Sequence, residues 1–290
     1  MKRPAQFGRF AGVLAVVAVI AGLALILFGF PGEADTRPDG WEKLADGLEL
    51  GNFKAPRETS LGDSTVVVLR IDPARWQLKL LAISETGDAK GMPVRQWCEK
   101  HGLTAAINAG MYDVDYRTHI GYMRSGEHTN SRRTNAYQSA AAFDPARDGL
   151  PPFRIFDLDS TSIETVNRDF HSVVQNLRLI KRPGENRWTA QPKKWSEAAL
   201  GEDKDGQVLF IFCRSPYAVY DFNNILLSLP LGLVAAQHLE GGPAAQMHLQ
   251  IGEKEISLTG GYETGYFDGD ADPYALPVPN VIGIVPKKRL

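Results

Sequence analysis

Residues 233–250 read Leu-Val-Ala-Ala-Gln-His-Leu-Glu-Gly-Gly-Pro-Ala-Ala-Gln-Met-His-Leu-Gln. The mainly apolar run from Leu233 to Leu239 has the length and composition of a buried strand. Glu240 ends it, and Gly241-Gly242-Pro243 breaks it at once. Proline brings no N–H to a β-ladder, and glycine brings no side chain to pack, so the strand stops there. A strand that stops in this way delivers His238 and Glu240 to a loop. The two glycines leave room for another group beside the backbone, an arrangement common at active sites.

The flanking sequence repeats this grammar. Residues 65–71 are β-branched and apolar, Asp72-Pro73 is a turn, and residues 76–83 alternate as an antiparallel partner. Further strands are expected at 104–108, 138–143, 153–156, 172–175, 207–212, 247–251 and 281–285. Short helices are expected at 93–101, and from an Asp221 cap to about Ser228. Many short strands without βαβ alternation predict an α+β fold. Its centre would be a twisted mixed or antiparallel sheet with a few flanking helices, in one globular domain over 57–290. The long polar loops at 109–137 and 260–280 are candidates for function.

The chain has 290 residues, 43% hydrophobic and 23% charged, with a formal net charge of -2. That balance is ordinary for a globular protein and gives no footing for nucleic acid. Lys2, Arg3 and Arg9 precede an uncharged run from Phe10 to Phe30. About 20 helical residues span about 30 Å, the thickness of a bilayer core. Residues 1–9 then read as a short cytoplasmic end, 10–30 as a transmembrane anchor or a cleaved signal peptide, and 31–56 as a tether. Either reading puts the domain outside the cytoplasm, anchored to the membrane or secreted. Cys98 and Cys213 are the only cysteines, and either a disulfide or two buried thiols suits them.

No G-x-S-x-G, P-loop, G-x-G-x-x-G, H-E-x-x-H or C-x-x-C is present, and no cofactor is implied. Asp268-Gly-Asp-Ala-Asp272 imitates a calcium loop, but Pro273 and Pro279 stand where that loop needs Gly and Glu. A second strand runs into a glycine break at Ile107-Asn108-Ala109-Gly110-Met111-Tyr112-Asp113. Asn108 and Asp113 are therefore candidates to share a cleft with Glu240. Arg132, Arg133 and Arg214 suit an anionic group, because guanidinium matches phosphate geometry. Glu197 and Glu263 are carboxylates in small or apolar contexts, and His119 and His238 are candidate proton carriers.

The chain resembles the phosphodiester glycosidase family. The resemblance rests on Ile107–Tyr112, Ile120-Gly121-Tyr122, Leu200-Gly201 with Asp205-Gly206, and Leu239-Glu-Gly-Gly-Pro-Ala-Ala-Gln246. In the family's pattern an Asp stands at the place of Glu240 and a Ser at that of Ala245. The resemblance implies an extracytoplasmic hydrolase that cleaves a glycosidic bond in a sugar-1-phosphodiester, such as an envelope or exopolysaccharide glycan. In that frame Glu240 is catalytic, with Asp113 or Glu197 as the second carboxylate. Arg133 and Arg214 would hold phosphate. Asn108, His238, Gly241, Gly242 and Gln246 would line the sugar site. Two other readings are a glycan-binding domain without turnover and a metal-assisted hydrolase built on Asp113, Asp115, His119 and His238.

Overall fold

The computed structural model describes residues 40–263 and 275–288, all within one compact unit, Thr36–Leu290. The expected anchor at 10–30 lies outside the described residues, as does the acidic run 268–272. Among the described residues no helix is long and apolar enough to cross a membrane.

The fold is three antiparallel sheets, not an α+β domain with one central sheet. Strand makes up 48% and helix 13%, and every strand pairing among the described residues is antiparallel. The largest sheet has eight strands in the order β1-β2-β3-β14-β13-β15-β11-β12. Its members are β1 (Trp41–Ala45), β2 (Leu48–Lys54), β3 (Thr65–Ile71), β11 (Arg178–Lys181), β12 (Glu185–Asn186), β13 (Trp195–Asp203), β14 (Val208–Tyr217) and β15 (Leu233–Gly241). The second sheet runs β7-β6-β10-β8-β9: His128–Ser131, Met123–Ser125, Phe170–Asn176, Ser139–Pro145 and Phe153–Asp157. The third runs β17-β16-β5-β18-β4: Lys254–Thr259, Gln246–Ile251, Ala105–Asn108, Asn280–Pro286 and Trp76–Ala82.

One core joins all three. Leu69, Phe210 and Leu239 of the large sheet meet Ala141, Phe153 and Val174 of the second and Ile107, Met247 and Ile282 of the third, all in a single buried cluster. The outer face of each sheet is closed by a short helix. Of the four α-helices among the described residues, α1 (Ile83–Thr86) is a single turn after β4. Helix α2 (Val94–His101) buries Val94, Trp97 and Cys98 against the third sheet. Helix α3 (Ile163–Asp169) sets Val166 against the second. Helix α4 (Val219–Ser228) sets Phe222, Ile225 and Leu226 against the first. Helices are minor because each sheet already buries one face in the shared core and needs only a narrow apolar stripe to cover the other.

Two local expectations change, and the choice left open for the cysteines is decided. The stretch expected to be a tether contains β1 and β2. Its Trp41, Leu48 and Leu50 are buried. Helix α4 begins at Val219 with Ala218 as its cap residue, so Asp221 lies in its first turn, where it pairs with Arg57 at 3.0 Å. Cys98 and Cys213 are both free and buried, in different apolar clusters.

Candidate active site

Strands β13 and β15 are neighbours, with Glu197 opposite Gly241, Ala198 opposite Glu240 and Ala199 opposite His238. The register shifts between Ala198 and Ala199, a bulge of the kind that re-aims side chains at strand ends. Here it brings two carboxylates and an imidazole together. His238 Nδ1 is hydrogen-bonded to Glu197 Oε1, and Trp195 Nε1 donates to Glu197 Oε2 at 2.9 Å. Both oxygens of Glu197 are therefore engaged, and the residue is buried. Among the described residues Glu197 is the only hydrogen-bond partner of the His238 ring, which leaves Nε2 for a ligand.

The glycine pair has a physical cause. A Cβ on Gly241 would lie 2.4 Å from Cδ1 of Trp195. Gly242 has φ +61, and a Cβ there would lie 2.5 Å from Cε1 of Tyr262. Two aromatic rings thus sit directly on the backbone beside Glu240.

Charges in this corner are coupled. Burial is the main influence on Glu240 and pushes its carboxyl up to about 7. The nearby His238 and the Gly241 N–H pull it down, and Glu197 adds to the rise. Burial works against a charge on His238, but attraction to Glu197, their hydrogen bond and the nearby Glu240 outweigh it, so its pKa is raised. Burial and then the Glu240 charge push the Tyr112 phenol up to about 12. The same two causes raise Tyr137. Tyrosines from the 109–137 segment therefore border the Glu240 carboxyl.

That segment is fixed by one buried residue, Gln175 of β10. Its Oε1 accepts from the Tyr122 and Asn135 N–H groups at 3.2 and 3.4 Å. Its Nε2 donates to the Asn135 and Tyr137 carbonyls at 3.0 and 2.9 Å. Its own carbonyl is 2.8 Å from His119 Nε2. Burial lowers His119 to about 4 and keeps it neutral, so it donates that bond.

The other residues singled out in the sequence have different partners. Asn108 Oδ1 accepts from the Gln246 N–H at 3.2 Å, while Gln246 Oε1 accepts from the Val94 N–H at 3.0 Å. Both are buried and tie β5 and β16 to α2. Asp113 pairs with Arg133, and that guanidinium bond holds its carboxyl below the usual range. Arg214 Nε donates to the Thr259 carbonyl at 3.1 Å. Asp115 accepts from the Arg117 and Thr118 N–H groups of its own turn. Asp113, Asp115 and His119 are thus engaged by Arg133, by the turn at 115–118 and by Gln175, apart from His238 and its Glu197 partner. Among the described residues no group of three or more His, Cys, Asp or Glu is placed to hold a metal.

Glu197, His238, Glu240, Gly241 and Gly242 therefore form one constellation. From the 107–113 segment it is Tyr112 that meets the Glu240 charge. Trp195, Tyr112, Tyr137, Tyr262 and Gln175 were not singled out in the sequence. The one available signal was Trp195, an aromatic residue two places before Glu197.

A half-buried carboxyl pushed up to about 7, a second carboxyl group and a histidine whose pKa its carboxyl neighbours raise, framed by aromatic rings at strand ends, define a hydrolase-type site of the kind used on sugars. The profile of the phosphodiester glycosidase family matches residues 101–285. This chain belongs to that family, and membership supports a glycosidase-type hydrolase activity. No curated protein matches it. Among the solved structures that share its fold are two of known provenance. One is a hypothetical protein from Synechocystis, at TM-score 0.61 and 14% identity, covering 87% of this chain and 64% of that one. This chain thus spans about two thirds of the Synechocystis protein's length. The other is the catalytic domain of zebrafish N-acetylglucosamine-1-phosphodiester alpha-N-acetylglucosaminidase, auto-inhibited by its pro-peptide. Its TM-score is 0.58 and its identity 13%, with 87% of this chain and 86% of that one covered.

Proposed function

We propose that this chain hydrolyses the glycosidic bond of a sugar-1-phosphodiester. The observation that carries the reading is the pairing of Glu240, whose carboxyl is pushed up to about 7, with a His238 imidazole held by Glu197. The leaving group is a phosphate monoester, a far weaker base than an alkoxide, and it departs without first taking a proton, so the reaction has less need of a general acid. It needs a group to activate water and a positive charge where the phosphate leaves. Glu240 takes the proton as water oxygen bonds to the anomeric carbon. The C–O bond to phosphate breaks, and its electron pair goes to the phosphate oxygen. His238, kept cationic by Glu197, faces that developing charge. Trp195, Tyr262 and Tyr112 offer apolar faces to a sugar ring.

Family membership and the His238–Glu197 pair support this substrate class, since Arg133 is already paired with Asp113. The proposed setting is extracytoplasmic, anchored or released at 10–30, on envelope or exopolysaccharide glycans. Its support is the charge and hydropathy pattern of the N-terminal sequence.

Turnover of a synthetic glycosyl phosphodiester tests the reading. The wild-type rate should rise with pH through about 7, as Glu240 loses its proton. Glu240→Gln should lose about a hundredfold or more and the pH dependence with it. Equal rates for the two proteins would remove Glu240 from the chemistry. Binding without turnover in the wild type would leave a glycan-binding domain instead.

A further inference from the structure

Val114, Tyr116, Tyr262 and Leu276 are the exposed large hydrophobic residues among those described, at 89, 67, 56 and 45%. Scattered apolar residues on a surface are ordinary, but a cluster marks a ligand face. These four are not scattered. Tyr116 and Leu276 line one cavity of about 490 Å³ together with Tyr112, Pro277, Lys90 and Arg117. Val114 belongs to the same turn as Tyr116, and Tyr262 closes over Gly242 beside the Glu240 strand end.

Tyr116 carries a second sign. Its φ is +53, a left-handed conformation that bulky side chains rarely adopt and that tends to collect at functional sites. Its ring lies 5.8 Å from that of Tyr112. Polar groups at the cavity edge are cationic in balance. Asp115 is engaged by its own turn and by Thr118 Oγ1 at 2.6 Å. Lys90 and Arg117 form no ion pair among the described residues. Tyr112 links this cavity to the site, since it lines the one and its phenol feels the Glu240 charge of the other.

We infer that the cavity receives the apolar aglycone of an amphiphilic phosphodiester, an alkyl or aryl group reached past Tyr112 from a phosphate set between His238 and the Lys90 and Arg117 edge. A second sugar there would need convergent hydrogen-bonding groups, whereas Leu276 and Pro277 offer apolar surface. The inference rests on the glycosyl-phosphodiester reading above and names the other half of its substrate.

Calorimetric titration of the full chain with methyl phosphate and with octyl phosphate, below its micelle-forming concentration, tests the cavity without turnover. Octyl phosphate should bind at least about tenfold more tightly. Tyr116→Ala and Leu276→Ser should each lose most of that margin while melting at the wild-type temperature, because both side chains are exposed. Equal binding of the two phosphates, or a margin untouched in both variants, overturns the assignment. Turnover of methyl and octyl glycosyl phosphates separates the two claims. A binding margin with no turnover of either sinks the reaction and keeps the cavity. Turnover with the same kcat/KM for both sinks the cavity and keeps the reaction.

Discussion

Gly241 is held to glycine by what lies above it. Its backbone is extended, with φ -121 and ψ 166, a conformation open to any residue, but a Cβ would press into the Trp195 ring. Gly241→Ala should therefore cost about 1–3 kcal/mol as an overpacking change and should displace Trp195 from Glu197. Urea unfolding reads the first effect and tryptophan emission the second. Unchanged values of both would refute the packing argument. His238, Glu240 and the two glycines were legible in the sequence, because a strand running into Gly-Gly-Pro is a local signal. The ring that makes the glycines necessary was not, since it arrives from a strand some forty residues away, and register between strands is not written in either one. For the same reason Asp113 and Arg133 were each read as facing substrate. The chain places them against each other.

Among elements, β13 explains most of what went unread. Its sequence, Trp-Ser-Glu-Ala-Ala-Leu-Gly-Glu-Asp, has no alternation, because every position from Ser196 to Asp203 is buried. By contrast, β3 and β4 are β-branched or alternate, and they were legible almost to the residue. Near the far end of β13, Glu202 fastens the large sheet to the second. Its Oε2 accepts from the Ile155 N–H of β9 at 2.7 Å and from Arg182 at 2.5 Å, and its side chain is 2% exposed. Glu202→Ala would leave a buried N–H and a guanidinium without their acceptor. A loss of about 3 kcal/mol is expected in equilibrium unfolding. A loss under about 0.5 kcal/mol, the size of a surface change, would mean the sheets are held by their apolar faces alone.

For the whole molecule, two buried groups pull stability in opposite directions. Glu240 goes from 4.5 to about 7 on folding. The unfolded chain therefore releases that proton first, and stability falls as pH rises between those values. His119 goes from 6.5 to about 4, so the unfolded chain takes up that proton first and stability falls as pH drops across that window. Glu240→Gln should exceed the wild type in unfolding free energy by about 2 kcal/mol near pH 8, with the gap closing by about pH 4. A gap independent of pH would show that Glu240 is not the titrating group. A residue that costs stability at the pH where it works is a common bargain at active sites.

The Gln175 clamp has a consequence of its own for how such a site is entered. Residues 119, 122, 135 and 137 are all held by one side chain and carbonyl on β10. That stretch therefore moves with the sheet and is not a hinged flap. Its backbone amides at Tyr122 and Asn135 should exchange with solvent as slowly as those of β10. Ligand then meets a wall already set, and little ordering entropy is left to oppose binding on that side.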